Sequence, residues 1–382
     1  MRKLTVFHTR RTRAVATTRL TTVLGLALLC ACSDSLPSNP EIQPPHASDP
    51  QLLPAYFPPV DGSANWDTIS PARLGYDATA LRNAIDWAGQ QQSTAVIVLW
   101  RGRIVAERYW NGWTIDKDSI IASAGKSVVS ALAGEFVRRG TLGADSTVSR
   151  YLGAGWSRSP STEPRITVRH ILGMMSGLDD SLKRVVEPGT RFYYNGAAYY
   201  QSFAMLQAVS GRTINTMSRE MLFDRIGMPR ASWRFNISVG EPGWVLSCTP
   251  REMARFGLLA LNRGRWNGET ILADSAWYTA AWRQAPPDNA GYGLLWWLNG
   301  SNTFRLPGPY QLPSVQGSLV PSAPRDLVAA LGKGDKKIYV VPSLELVVIR
   351  HGPEADAGTG NPLALSQFDE QWWQRLKLAF RY

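Results

Sequence analysis

The chain has 382 residues, 44% of them hydrophobic and 15 of them tryptophan, so it can bury a large core as one elaborate domain or two closely packed lobes, and wholesale disorder is excluded. Its formal net charge is +11, but Arg2, Lys3, Arg10, Arg11, Arg13 and Arg19 crowd an N-terminal stretch without acidic residues, and no long Lys/Arg run follows. Nucleic-acid binding is therefore not expected, and the remaining positive charge reads as solvated surface.

The basic N-terminus leads into Val23-Leu24-Gly25-Leu26-Ala27-Leu28-Leu29, an apolar stretch too short to remain in a bilayer as a spanning helix, which predicts an export signal. Leu29-Cys30-Ala31-Cys32 resembles the bacterial lipoprotein signal. That resemblance implies a signal peptide over 1–31, lipidation of Cys32, and anchoring to a bacterial membrane facing the periplasm, with Ser33 resembling the outer-membrane sorting pattern. With Cys30 removed and Cys32 lipidated, Cys248 has no partner and reads as a small buried residue.

Residues 32–65 are rich in Ser, Pro and Asp and read as a flexible tether, leaving 66–382 as the folded domain. Leu81, Ala84, Ile85 and Ala88 recur at helical spacing. Thr94 to Trp100 and Arg103 to Trp110, separated by Arg101-Gly102, predict a hairpin. From about 123 to 300 the signals are mainly helical with long loops. Strand signals return at Lys337 to Val341 and Leu346 to Arg350, around a turn at Pro342-Ser343, and Leu363 to Phe380 closes the chain as an amphipathic helix. The predicted class is α+β: one antiparallel sheet built from both ends of the domain, flanked by the N- and C-terminal helices, with a helical region inserted.

The chemistry centres on Ser123-Ala124-Gly125-Lys126 at the start of an apolar helix, where the spacing puts both side chains on one face. A neutral amine within reach can take the proton of a serine hydroxyl as it attacks, and the first helical amides favour the negative charge that develops. Two later segments could complete such a site. Pro188-Gly189-Thr190-Arg191-Phe192-Tyr193-Tyr194-Asn195-Gly196 offers a loop tyrosine for proton transfer, or else plain aromatic packing. Leu331-Gly332-Lys333-Gly334-Asp335-Lys336-Lys337 is a glycine-punctuated approach to a strand, or an ordinary basic turn. A Ser-His-Asp hydrolase is disfavoured, since His8 and His46 lie in the signal and tether, His170 reads as a satisfied core residue, and no Gly-x-Ser-x-Gly elbow occurs. Scattered histidines and unpaired cysteines predict no metal site, and without a phosphate loop or dinucleotide fingerprint no cofactor is expected.

These motifs, in this order, resemble the serine β-lactamase and penicillin-binding superfamily, in particular its class C-like branch of esterases, D-aminopeptidases and 6-aminohexanoate-dimer hydrolases. The resemblance runs from about residue 75 to the C-terminus and includes Ile166-Thr167-Val168-Arg169-His170-Ile171-Leu172, Met175-Ser176-Gly177-Leu178, Gly291-Tyr292-Gly293 and Tyr339-Val340-Val341-Pro342. It implies Ser123 as acylated nucleophile, Lys126 as its base, Tyr194 as proton shuttle and Lys333 as the third-motif cation. The amides of Ser123 and Lys336 would then form the oxyanion hole, and Lys336 and Asn195 would join Lys333 in binding substrate. The register of the tyrosine motif stays open: Pro-Gly-Thr-x-Phe-x-Tyr selects Tyr194, whereas reading Tyr193-Tyr194-Asn195 as Tyr-x-Asn selects Tyr193. Lys333-Gly334-Asp335 lacks the hydroxyl of a Lys-Thr-Gly motif, and no Ser-Asp-Asn motif follows Ser123. The expectation is an exported serine hydrolase that acts on a small ester or amide through an acyl-enzyme. The alternatives are a β-lactamase or D,D-peptidase, and a non-catalytic lipoprotein with a hydrolase fold.

Overall fold

The computed structural model describes residues 53–61, 64–236, 243–308, 312–355 and 367–382. The export segment and Cys32 lie outside the described residues. Helix α1 (Ala78–Gln90) starts at Asp77, whose carboxylate accepts the amides of Thr79 and Ala80, and it buries the predicted stripe Leu81, Ala84, Ile85 and Ala88. Strands β1 (Ala95–Trp100) and β2 (Arg103–Tyr109) form the expected hairpin. Arg101 and Gly102 both have positive φ, as a two-residue turn matched to strand twist requires. The short strand β3 (Ser119–Ile120) leads through a 3₁₀ turn, Ala122–Gly125, into α2 (Lys126–Arg138), a helix buried along almost its whole length.

Helix α3 (Gly196–Ser210) follows the tyrosine loop. Strands β4 (Ser232–Asn236) and β5 (Gly243–Cys248) then pair, and β3 joins them in a three-stranded sheet of order β3-β5-β4. The region 123–300 is mainly helical as expected, and this small sheet is its chief addition, with Trp233, Leu246 and Cys248 buried in it. Helix α4 (Pro250–Leu261) opens with a Thr249–Glu252 capping box. Strands β6 (Trp297–Leu298), β7 (Val328–Gly332), β8 (Lys336–Val341) and β9 (Leu346–His351) complete a six-stranded antiparallel sheet of order β2-β1-β9-β8-β7-β6, and α5 (Gln367–Phe380) ends the chain. The sheet does join the two ends of the domain, and the α+β class holds.

Helices α1 and α5 cover one face, with Trp87 stacked on Phe368 at 5.3 Å and the Asp77 amide donating to the Ala379 carbonyl at 2.9 Å. Helix α4 covers the other, where Gly257 lets the helix approach so closely that a Cβ would lie 2.5 Å from Val347. The sheet is therefore covered on both faces, and β1, residues 338–341 of β8 and residues 346–349 of β9 read as continuous hydrophobic runs rather than alternating ones. Among the described residues no helix is long and apolar enough to cross a membrane.

The second half of the expected tether is corrected by the structure. Residues 53–61 and 64–65 lie as a strap on the domain: the Tyr56 amide donates to the Arg101 carbonyl, Arg255 binds the carbonyls of Pro58 and Pro59, Arg251 binds that of Ala64, and Phe57 packs on Trp266. Proline carbonyls have no strand partner here, and buried guanidinium groups satisfy them instead. Gly102 is where the strap touches the hairpin, since a Cβ there would sit 1.9 Å from the Tyr56 carbonyl oxygen at φ +83°. Gly112 has a similar φ of +68° but open space around it. Gly112→Ala should cost about 1–2 kcal/mol for the left-handed backbone alone, and Gly102→Ala distinctly more; urea unfolding of the two variants checks this, and equal costs would show that the strap contributes nothing.

Candidate functional site

Ser123 lies in the 3₁₀ turn that enters α2, and Lys126 is the first residue of the helix. In a 3₁₀ turn residues i and i+3 eclipse, which carries the lysine over the serine: Lys126 Nζ is 3.2 Å from Ser123 Oγ. The preceding Ala122 is held at φ +50°, a left-handed conformation uncommon for alanine, so the serine stands on a strained turn. The Lys126 side chain crosses two rings, with Nζ 4.3 Å from the Tyr199 centroid and 5.0 Å from that of Tyr194.

Tyr194 hydrogen-bonds Ser123. Its ring is fixed in an aromatic box, stacked on Trp297 at 5.9 Å and set edge-on to Tyr292 at 6.0 Å. Burial raises its pKa well above the usual phenol range, against the smaller lowering effect of Ser123, so the hydroxyl keeps its proton at neutral pH. Tyr193 points elsewhere: its hydroxyl donates to Asp180 at 2.7 Å. Of the two registers open in the sequence, the structure places Tyr194, not Tyr193, beside the Ser123–Lys126 pair. Trp296 and Trp297 are core residues, and Trp297 is reached by the site only as the wall behind Tyr194.

Asn195 is corrected. It caps α3 by accepting the Ala198 amide at 2.9 Å, its amide group donates to the carbonyls of Leu178 and Asp179, and it is 1% exposed, so it has no polar atom left for substrate. Its role is to tie the tyrosine loop to the Leu178–Asp179 loop.

The third segment is a hairpin between β7 and β8 whose three-residue turn, Lys333 to Asp335, carries positive φ at Gly334 and Asp335. Lys333 is exposed at the turn. Lys336 opens β8, and burial lowers its pKa, aided by the nearby Arg350. The strand that meets the serine is β7: a Cβ on Gly332 would lie 2.2 Å from the Ile121 carbonyl oxygen and 3.2 Å from the Ala124 amide nitrogen. Lys336 is the ladder partner of Gly332 on the interior strand β8. The expectation that the Lys336 amide faces Ser123 is thereby corrected in favour of backbone at the end of β7.

Two groups that sequence reasoning passed over hold this hairpin. Arg350, fully buried, donates to the carbonyls of Gly334 (3.2 Å), Asp335 (3.0 Å), Pro353 (2.7 Å) and Gln91 (2.8 Å) and to Ser93 Oγ (3.0 Å). Lys337 Nζ is equally buried between Asp335 (3.0 Å) and Asp369 of α5 (2.8 Å). Breaking one partner of such a buried pair typically costs about 3–5 kcal/mol. The available signal was that Lys336 and Lys337, as neighbours in a strand, face opposite sides of the sheet.

His351 ends β9 and bridges two elements, with Nδ1 2.7 Å from Thr94 Oγ1 and Nε2 2.7 Å from Ser119 Oγ, under the Trp113 ring. It thereby secures β3, the strand that delivers the Ser123 turn. Burial, with Lys336 and Arg350 alongside, depresses its pKa from 6.5 to about 3. His170 also has a structural place, accepting the Thr167 amide in the capping box of the helix Val168–Leu172. Cys248 is buried and free of disulfide bonding, and the described residues contain no cluster of metal-ligating side chains.

The β-lactamase family model matches residues 80–331, and the chain belongs to that family. Its fold is shared at low identity with a protein designated a β-lactamase from Bacteroides dorei (19% identity, TM-score 0.65, covering 80% of this chain and 100% of that one). It is shared likewise with a protein designated a 6-aminohexanoate-dimer hydrolase from Bacillus anthracis (17%, 0.61, 84% and 87%). A third neighbour is a hydrolase described as having promiscuous acyltransferase activity (14%, 0.57, 78% and 98%). No curated protein matches the chain.

The buried neutral His351 makes stability depend on pH. The unfolded chain takes up a proton near pH 6.5 that the folded chain refuses until about pH 3, so this group removes stability as pH falls through that window. Between pH 7 and 4.5 the wild type should lose roughly 2–3 kcal/mol more than His351→Asn. Urea unfolding at both pH values checks it; parallel losses in the two proteins would show that His351 is not held neutral.

Proposed function

We propose that the protein is an exported serine hydrolase that cleaves a small ester or amide through an acyl-enzyme. The observation that carries this reading is the hydroxyl of Ser123 set between Lys126 Nζ at 3.2 Å and the Tyr194 phenol. Ser123 Oγ attacks the substrate carbonyl while its proton passes to neutral Lys126, the tetrahedral oxyanion lies against the Ser123 amide and a backbone amide at the end of β7, and collapse expels the alcohol or amine. Tyr194, which burial keeps protonated, relays a proton to the leaving group and recovers one from Lys126. Water then attacks the acyl-enzyme by the same relay in reverse. No metal or cofactor enters this scheme. Lys333 and Lys336 stand at the hairpin beside the serine turn and are the cations available to an anionic substrate.

The esterase or amidase reading is preferred to a β-lactamase or D,D-peptidase because Lys333-Gly334-Asp335 offers no hydroxyl and turns its carboxylate inward to Lys337. It is supported by neighbours that share the fold and are described as an aminohexanoate-dimer hydrolase and a promiscuous hydrolase. A non-catalytic lipoprotein would have no reason to keep the lysine over the serine.

A fluorophosphonate probe should label the wild type at Ser123, and Ser123→Ala and Lys126→Ala should abolish labelling and turnover of p-nitrophenyl esters together, because the two act as a unit. Tyr194→Phe should cut amide turnover by roughly 10²- to 10⁴-fold, and nitrophenyl ester turnover less, since that leaving group hardly needs a proton. Tyr193→Phe should stay near wild type. An active Lys126→Ala enzyme would refute the mechanism, and exchanged tyrosine phenotypes would refute the register.

Export and anchoring through lipid on Cys32 belong to the same proposal. Cys32→Ala should leave esterase activity intact while moving the protein from the detergent phase to the aqueous phase on Triton X-114 partitioning. Identical partitioning of the two forms would remove the anchor from the scheme.

A further inference from the structure

A cleft of about 330 Å³ opens where β7 begins at Val328, and it is bordered by Leu298 and Pro342. Ser123 is served by the other end of that strand, about 13 Å away at the rise of an extended chain. Three arginines line the cleft from three separate segments: Arg263 follows α4, Arg283 follows the helix Ser275–Ala281, and Arg325 precedes β7. Arg263 sits over the indole of Trp282, with Cζ 4.1 Å from the ring centroid. Arg325 gives one N–H to the Gly300 carbonyl at 2.5 Å. Among the described residues, Arg263 and Arg283 make no side-chain hydrogen bond or ion pair.

Asp326 is the carboxylate among the lining residues, and it is already engaged by the amide and hydroxyl of Ser343 at 2.6 and 2.8 Å. An arginine on an open surface needs no explanation, because water solvates it. Arg263 differs in being half-buried on an aromatic floor, where burial lowers its pKa and the nearby Asp326 only partly offsets that. Three arginines against one carboxylate leave the lining with a net positive charge that a bound anion would offset. The guanidinium fork matches phosphate oxygens bidentately, and Trp282, Leu298 and Pro342 supply an apolar wall for an organic portion.

We propose that this cleft is a second binding site, distinct from the serine centre, that takes a small phosphate-bearing organic anion. The probe is inorganic pyrophosphate, titrated calorimetrically into the full chain at 0.15 M salt, where exposed charges are largely screened. One saturable site is expected, with a rise in melting temperature and unchanged fluorophosphonate labelling at Ser123. The double variant Arg283→Ala/Arg325→Ala removes two exposed side chains, so its melting temperature without ligand should match wild type while pyrophosphate affinity falls about tenfold or more. Arg263→Lys keeps the charge but loses the fork and should fall in between. Three results would overturn the proposal: no saturable binding, affinity unchanged in the double variant, which would mark an adventitious ion only, or citrate bound as tightly as pyrophosphate.

Discussion

The end of β7 lies against the turn that carries Ser123 so closely that residue 332 has no room for a side chain: a Cβ there would stand 2.2 Å from the Ile121 carbonyl oxygen. That approach fixes the rest of the site. It sets the end of β7 beside the serine turn, close to the Ala124 amide, and makes any shift of the β7–β8 hairpin a shift of that turn. Glycine at 332 is required by proximity to another segment rather than by its own backbone conformation.

A contact that tight has to be held from behind, and the buried polar network beneath the hairpin does this. Arg350 ties the Gly334 and Asp335 carbonyls to the loop at Gln91–Ser93, and Lys337 joins Asp335 to Asp369 on the terminal helix. Both cations are fully buried and are paired or multiply hydrogen-bonded, the condition under which buried charge is tolerated. The hairpin is thus anchored to α5 and to the loop before β1, so both ends of the domain converge on one turn. His351 performs the matching task on the other side, fastening β3 and hence the Ser123 turn to the sheet.

Within this frame the tyrosine loop has divided duties. Asn195 spends its side chain on backbone contacts, Tyr193 reaches out to Asp180, and Tyr194 is pressed into a box of Phe192, Tyr292 and Trp297 that leaves its hydroxyl on Ser123. Three consecutive polar residues therefore serve three different surfaces. Their order along the chain gives no hint of which faces the serine.

The sequence by itself determined the elements whose signals are local: the stripe of α1, the Arg101-Gly102 turn, the β8–β9 hairpin, the closing helix, and the pairing of Ser123 with Lys126, because helical periodicity, turn chemistry and i,i+3 spacing act within a few residues. It also identified the family, since motif order survives where identity does not. Only the tertiary structure decided which tyrosine meets Ser123, that Asn195 gives its amide group to the Leu178–Asp179 loop, that Gly332 rather than Lys336 borders the serine, that residues 53–61 and 64–65 are a strap, and that β3 joins β5 in a sheet. Each of these depends on a partner far away in the chain, and a contact between distant segments leaves no periodicity in either of them.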